Sequence, residues 1–158
     1  MSSAAQDPKI HRMEIDDLGR VMEIAAGLEH APHWPLPAYV AALDLDALPR
    51  RICLVAEDPD PGNVVAFAVA CQIGPQAELE SIAVAVAHQR RGLARRLFTA
   101  LLAEFEAAGV TEVLLEARAS NLPALRFYLA LGFVETGRRP GYYADPVEDA
   151  VLLHLCVG

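Results

Sequence analysis

Four helical and seven extended stretches, interleaved along 158 residues, predict an α/β domain built on a sheet of mixed direction with helices on both faces. Two observations carry that reading. Apolar residues recur at helical spacing in Leu93, Leu97, Leu101, Phe105 and Ala108, while short runs rich in valine, isoleucine and leucine lie between turn-forming residues elsewhere. The stretches follow the order strand, two helices, three strands, helix, strand, helix, two strands. With 54% hydrophobic residues and no repeat, low-complexity tract or linker, residues 1–158 read as a single domain able to bury its own core.

Residues 9–15 alternate well enough for an edge strand, and Asp16 can cap a helix that carries Leu18, Val21, Met22, Ala25 and Leu28 on one face. The run Ala31-Pro32-His33-Trp34-Pro35-Leu36-Pro37 breaks that helix, and a short second one follows over 38–45. Strands over 51–57 and 64–73 make a hairpin closed by Asp58-Pro59-Asp60-Pro61-Gly62-Asn63. A further strand covers 78–86. The long helix runs from Gly92 to Ala108, with Gly109 placed to end it, and 110–117 is a strongly apolar strand. Asn121 can cap the last helix, with Pro123 in its first turn and Gly132 just beyond its end. Strands over 133–136 and 150–156 complete the chain, joined by a loop that holds Gly141-Tyr142-Tyr143-Ala144-Asp145-Pro146.

Thirteen basic against twenty-one acidic residues leave a net charge of −8. This opposes any broad attraction to nucleic acid or an anionic membrane, and favours a cationic or small-molecule substrate. Cys53, Cys71 and Cys156 each sit in an apolar run without metal-ligand spacing, and read as buried small hydrophobes in a reducing compartment. Residues 1–8 show no basic segment followed by an apolar one, and no run of about 18 apolar residues occurs, so the expected location is cytoplasmic. His30 and His33 are spaced H-x-x-H, but Pro32 intervenes and no third ligand is near. No metal is expected.

The segment His88-Gln89-Arg90-Arg91-Gly92-Leu93-Ala94-Arg95-Arg96 lies where a strand hands over to a helix. Gly92 lets the backbone curl closely around an anion, the first helical turn leaves N–H groups unpaired, and the helix dipole favours negative charge there. Arginine at a helix start is unfavourable by itself, so a bound anion is the natural compensation. Neither G-x-x-x-x-G-K-[ST] nor G-x-G-x-x-G is present, which disfavours the nucleotide folds that use those motifs.

Gln89-Arg90-Arg91-Gly92-Leu93-Ala94 resembles the Q/R-x-x-G-x-G/A signature of the GNAT acetyltransferase superfamily, and an apolar strand segment, Ile82-Ala83-Val84, precedes it as in that superfamily. Leu115-Glu116-Ala117-Arg118-Ala119-Ser120-Asn121, Tyr128-Leu129-Ala130-Leu131-Gly132-Phe133 and Tyr142-Tyr143 narrow the resemblance to the RimI-type branch, which acetylates the N-terminal alanine of a ribosomal protein. It is strong over 79–155 and weak before, where only Trp34 and Tyr39 loosely match the branch's F-P-W-S-x-x-x-F segment. The resemblance implies a GNAT fold with a central, mostly antiparallel sheet of about seven strands, and acetyl-CoA as co-substrate. Ile82, Ala83 and Val84 would run along the pantetheine, Arg90, Arg91, Gly92, Leu93, Ala94 and Arg95 would meet the pyrophosphate, and Asn121 would lie near the far arm. Ser81 and Ala144 depart from the branch, which usually has asparagine and proline at those places.

Acyl transfer to an amine needs a base for the ammonium and a donor for the departing thiolate. Glu116, at the end of Val113-Leu114-Leu115, is placed for partial desolvation, which would raise its pKa; its alternative is a structural ion pair with Arg118 or another arginine. Tyr128 shares a helix face with Leu125 and Leu129, and its residue pattern alone favours a core role. The resemblance implies Glu116 as general base and Tyr128 as general acid. Glu78 and Glu80 compete as bases, although at a strand start they read as solvent-facing. Tyr142 and Tyr143, with Trp34, would contact the acceptor: a protein N-terminus or, alternatively, a small amine. A non-catalytic acyl-CoA-binding module is the third reading.

Overall fold

Strand β3 (Asn63–Ile73) is buried along nearly all its length, because helices cover the sheet on both sides of it. The computed structural model describes residues 7–59 and 63–158; Asp60, Pro61 and Gly62 of the expected hairpin turn lie outside the described residues, as does most of the N-terminal stretch. Ala66, Ala68 and Ala70 of β3, with Ile52, Leu54 and Ala56 of β2 (Arg50–Asp58), face the long helix α3 (Leu93–Ala107). These small side chains leave room for Leu97, Phe98, Leu101 and Phe105, all essentially fully buried. The opposite row, Phe67 and Val69 with Cys53 and Val55, packs under Leu18, Val21 and Ile24 of α1 (Leu18–Ala26) and Tyr39 of α2 (Leu36–Ala42).

Seven strands form one sheet in the order β1-β2-β3-β4-β5-β7-β6, with β1 at Lys9–Arg12, β4 at Gln76–Val84, β5 at Glu112–Arg118, β6 at Val134–Tyr143 and β7 at Glu148–Cys156. Every neighbouring pair is antiparallel except β4 and β5. That parallel pair is short. Only Gln76, Ala77 and Glu78 are in register with Glu112, Val113 and Leu114, and beyond them the strands separate.

A bulge lies within β4: Val69 pairs with Ser81 but Ala70 with Leu79, which leaves Glu80 as the extra residue. Ala77 and Leu79 belong to the core beneath α3, and so do Ile82 and Val84, so the alternation slips by one at the bulge. Glu78, Glu80 and Ser81 accordingly share the other face.

Several expectations need correction. Residues 15–17 form a 3-10 turn rather than continuing β1, and Asp17, not Asp16, accepts the Glu14 backbone N–H at 2.8 Å. Leu28 falls beyond α1, which ends at Ala26 with Gly27 as its cap. The second helix begins earlier than expected, since Pro37 in its first turn needs no backbone donor there. Leu129 is 54% exposed and does not join Leu125 and Tyr128; Leu131 packs there instead. Cys53 and Cys71 are buried but Cys156, at the end of β7, is exposed. Strand β6 runs on to Tyr143 through Pro140 and Gly141, which an edge strand with irregular pairing tolerates. No described helix is long and apolar enough to cross a membrane.

The core beneath α3 carries a direct test. Phe105 is fully buried, so Phe105→Ala should cost about 3–5 kcal/mol in urea unfolding. A loss below about 1 kcal/mol would show that this face of the sheet is not the main core.

Candidate active site

The separation of β4 from β5 opens the sheet and produces two adjoining cavities, of about 660 and 420 Å³. Ile82, Gln89, Ala124 and Tyr128 line both, so these residues mark the seam between them. Beyond Glu78 the backbone groups of β4 that point away from β3 have no strand to pair with, and this stretch of exposed edge includes Ile82 and Val84.

The smaller cavity is lined by Ile82, Ala83, Val84, Arg90, Gly92, Leu93, Ala94 and Arg95; Arg91 stands outside its lining. Two residues of the turn adopt left-handed backbone, Arg90 with φ 64° and Gly92 with φ 77°. Positive φ in a non-glycine residue costs about 1 kcal/mol or more, and such positions concentrate at ligand sites. Gly92 precedes α3 without any side-chain cap, which leaves the first-turn N–H groups directed at the cavity. Gln89 donates its side-chain amide to the Val84 carbonyl at 3.1 Å and so ties the turn to the end of β4. Among the described residues Arg90, Arg91 and Arg95 make no ion pair, whereas Arg96 is drawn away to Asp7 at 3.6 Å. His88 Nδ1, beside the same cavity, is buried without a hydrogen-bond partner among the described residues. Backbone donors, guanidinium groups without ion pairs among the described residues and a dipole of matching sign all favour negative charge here.

The larger cavity collects carboxylates and aromatic rings. Glu78, Glu80, Glu116, Tyr128, Tyr142, Tyr143 and Trp34 all line it, so the residues expected around the acceptor are brought together. Asn121 lines it as well, where its side-chain oxygen caps α4 (Leu122–Ala130) by accepting from Ala124 N at 3.4 Å. Leu115 and Ala117 point into the core beneath α3, so Glu116 projects from the opposite face, towards Glu78. Burial first, and then the charges of Glu80 and Glu116, raise the Glu78 carboxyl above its ordinary value. Ser81 Oγ is buried here without a partner among the described residues.

The ion pair of Glu116 is with Arg139 of β6, at 3.5 Å, rather than with Arg118. Arg118 instead meets Glu148 at 3.3 Å and lies 4.4 Å from the centre of the Tyr143 ring. Hydrogen bonding to Glu116 is the first cause raising the Tyr142 phenol, and burial is the first for Tyr143. Tyr128 comes from α4 on the other side of the gap, its ring 5.7 Å from Phe133, and burial holds its hydroxyl well above the ordinary tyrosine range. Its hydroxyl therefore stays protonated at neutral pH.

Sequence reasoning missed two arginines. Arg139 stands opposite Ala150, which stands opposite Arg118, so it reaches Glu116 across β7; only the strand order shows this. Arg51 of β2 binds Glu80 through both carboxylate oxygens, at 2.8 and 3.3 Å, which overturns the reading of Glu80 as a solvent-facing side chain. No short-range pattern connects residues 29 positions apart on strands that are not neighbours.

Comparison with known proteins agrees with this arrangement. The [ribosomal protein bS18]-alanine N-acetyltransferase of Escherichia coli K12 is 42% identical over 96 residues, which cover 60% of this chain and 65% of that protein. The crystal structure of the ribosomal-protein-S18-alanine N-acetyltransferase from Escherichia coli superposes with a TM-score of 0.83 at 31% identity, covering 96% of this chain and 94% of the other. Ard1 from Thermoplasma volcanium gives 0.84 at 25% identity, over 97% and 99%. The profile of the acetyltransferase (GNAT) family matches residues 20–133, which include the anion-binding turn, Glu116 and Tyr128, and the chain belongs to that family.

Proposed function

We propose that the chain transfers an acetyl group directly from acetyl-CoA to the α-amino group of a protein N-terminus, of the ribosomal-protein alanine type. The observation that carries this is the placement of Glu116 and Tyr128 on opposite sides of one gap in the sheet, both lining the larger cavity, with the anion-binding turn at the far end. The likeness to the alanine N-acetyltransferase supports the choice of acceptor.

Acetyl-CoA, when bound, supplies a thioester whose acyl carbon the amine attacks, so that an N–C bond forms as the C–S bond breaks. The β4 edge at Ile82, Ala83 and Val84 would hold the pantetheine, and the turn from Arg90 to Arg95 the pyrophosphate, with Asn121 near the opening of α4. Glu116 takes the proton from the acceptor ammonium, its carboxylate oriented by Arg139 and Tyr142. Tyr128 gives its hydroxyl proton to the leaving sulfur and is restored by the second proton that the nitrogen sheds as the amide forms. Tyr142, Tyr143 and Trp34 enclose the residues that follow the amine.

Glu116→Gln should retain acetyl-CoA binding in calorimetry and lose roughly 10²-fold or more in turnover, as for a removed general base; full turnover at neutral pH would sink the assignment. Tyr128→Phe keeps the ring packing and removes only the donor, so kcat should fall, again by roughly 10²-fold, with thermal stability unchanged. Unaltered kcat in that variant would assign Tyr128 to the core alone. Peptide acceptors should be discriminated by their first residues, which a small-amine enzyme would ignore.

Glu78 yields a pH prediction. Its folded pKa is raised, so the folded chain binds this proton more tightly than the unfolded one. The resulting stability is complete below the ordinary value of 4.5 and is lost as pH rises through the folded pKa. Glu78→Gln should therefore raise the thermal midpoint at pH 7 and bring no gain near pH 4. An equal gain at both pH values would refute the electrostatic cause.

A further inference from the structure

Arg51 and Glu80 take no part in the proton transfers above, yet they stand next to the cavity in a defined geometry. The carboxylate of Glu80 lies on the face shared with Glu78, where Arg51 reaches it over β3 and satisfies both of its oxygens. The pair is largely enclosed, with side chains 27% and 18% exposed. A carboxylate so committed is poorly placed to act as a base. The guanidinium carbon of Arg51 lies over the Trp34 ring, 5.7 Å from its centre, and Trp34 in turn lies 5.3 Å from Tyr39, which meets Phe67 edge-on in the centre of the core.

Trp34 belongs to the segment 27–35 between α1 and α2, which has no regular secondary structure. Leu28, Ala31 and Pro32 of that segment line the larger cavity, as do the paired tyrosines of β6. A loop of this kind has few backbone bonds of its own to fix it, so its position depends on side chains that anchor it. A guanidinium held over an aromatic ring within cation–π range is such an anchor, since its planar fork is already immobilised by the carboxylate.

We propose that the Arg51–Glu80 pair, acting through Trp34, holds the α1–α2 loop as one wall of the acceptor channel, which makes Arg51 and Glu80 positioning residues for the peptide side of the reaction. The kinetic consequences rest on the N-terminal acetyl transfer proposed above; the contact with Trp34 does not. Trp34 is the sole tryptophan of the chain, so its fluorescence reports the anchor directly.

The test compares Arg51→Ala, Glu80→Gln, Arg51→Lys and the swapped pair Arg51→Glu with Glu80→Arg. In Arg51→Ala and Glu80→Gln, Trp34 emission should move to longer wavelength without any substrate present. The KM for an alanine-initiated peptide should rise about tenfold, with kcat and the KM for acetyl-CoA within about twofold of the parent. Arg51→Lys, which keeps charge but not the fork, should be intermediate, and the swapped pair should recover part of the loss. Unchanged emission in Arg51→Ala overturns the anchor. Shifted emission with an unchanged peptide KM overturns the wall, and so does an equal loss in kcat and in both KM values. Should Arg51→Ala fail to fold, Arg51→Lys and the swapped pair decide by the same two readouts. If the parent protein acetylates no peptide, the functional reading fails by itself, and the emission of the variants still decides whether the pair holds Trp34.

Discussion

Everything in the site depends on how far β4 and β5 stay together. Three residues of each strand pair in parallel, and then the strands part. A sheet that closed further would satisfy the outer edge of β4 with β5 and bury it. Because it does not, the edge near Ile82 and Val84 remains open to a ligand that can supply the missing partners. The separation also removes the sheet as a barrier between its two faces. Glu116 projects from the face away from α3, while Tyr128 approaches from α4, which packs on the α3 side. The carboxylate and the phenol proposed as base and acid, which an intact sheet would keep apart, can therefore reach one cavity from two sides.

The bulge at Glu80 acts with the separation rather than beside it. By inserting one residue, it lets Leu79 and Ile82 both contribute to the same core although they are three apart. The price is a ladder interrupted at Glu80, and what is gained is a cluster of polar side chains, Glu78, Glu80 and Ser81, on one face at the point of divergence. In a regular strand Glu78 and Glu80 would still share a face, but Ser81 would turn to the other.

How much of this was legible in the sequence follows from the range of each interaction. The turn at Gln89 to Ala94 is readable because its parts are local: a strand end, a glycine, free arginines and a helix start within a few residues. The central elements are readable for the same reason, since β3 and α3 carry their periodicity in their own residues. Strand β6 was cut short in the reading because Pro140 and Gly141 imitate a loop, and an edge strand exposed on nearly every residue has no alternation to announce it. The partners of the carboxylates were hidden at a deeper level. Glu116 meets Arg139 across β7, and Glu80 meets Arg51 across β3, so both pairings require the strand order. The family resemblance pointed to Glu116 and Tyr128 but said nothing of either arginine.

The distribution of charge gives the channel a direction. The chain as a whole carries −8, yet Arg90, Arg91 and Arg95 stand together without ion pairs among the described residues at one end. Glu78, Glu80 and Glu116 gather at the other. In the folded protein each end is strained: the arginines sit at the positive end of α3, and Glu78 is held above its ordinary pKa first by burial and then by its two acidic neighbours. Arg51 and Arg139 pair with Glu80 and Glu116, and they oppose the rise at Glu78 without cancelling it. A polyanion bound at the turn and a cation bound among the carboxylates would each relieve the strain at its own end. The two would then lie head to tail along one path, so these unfavourable charges favour the order that the proposed transfer needs, with the CoA thioester at one end and the amine at the other.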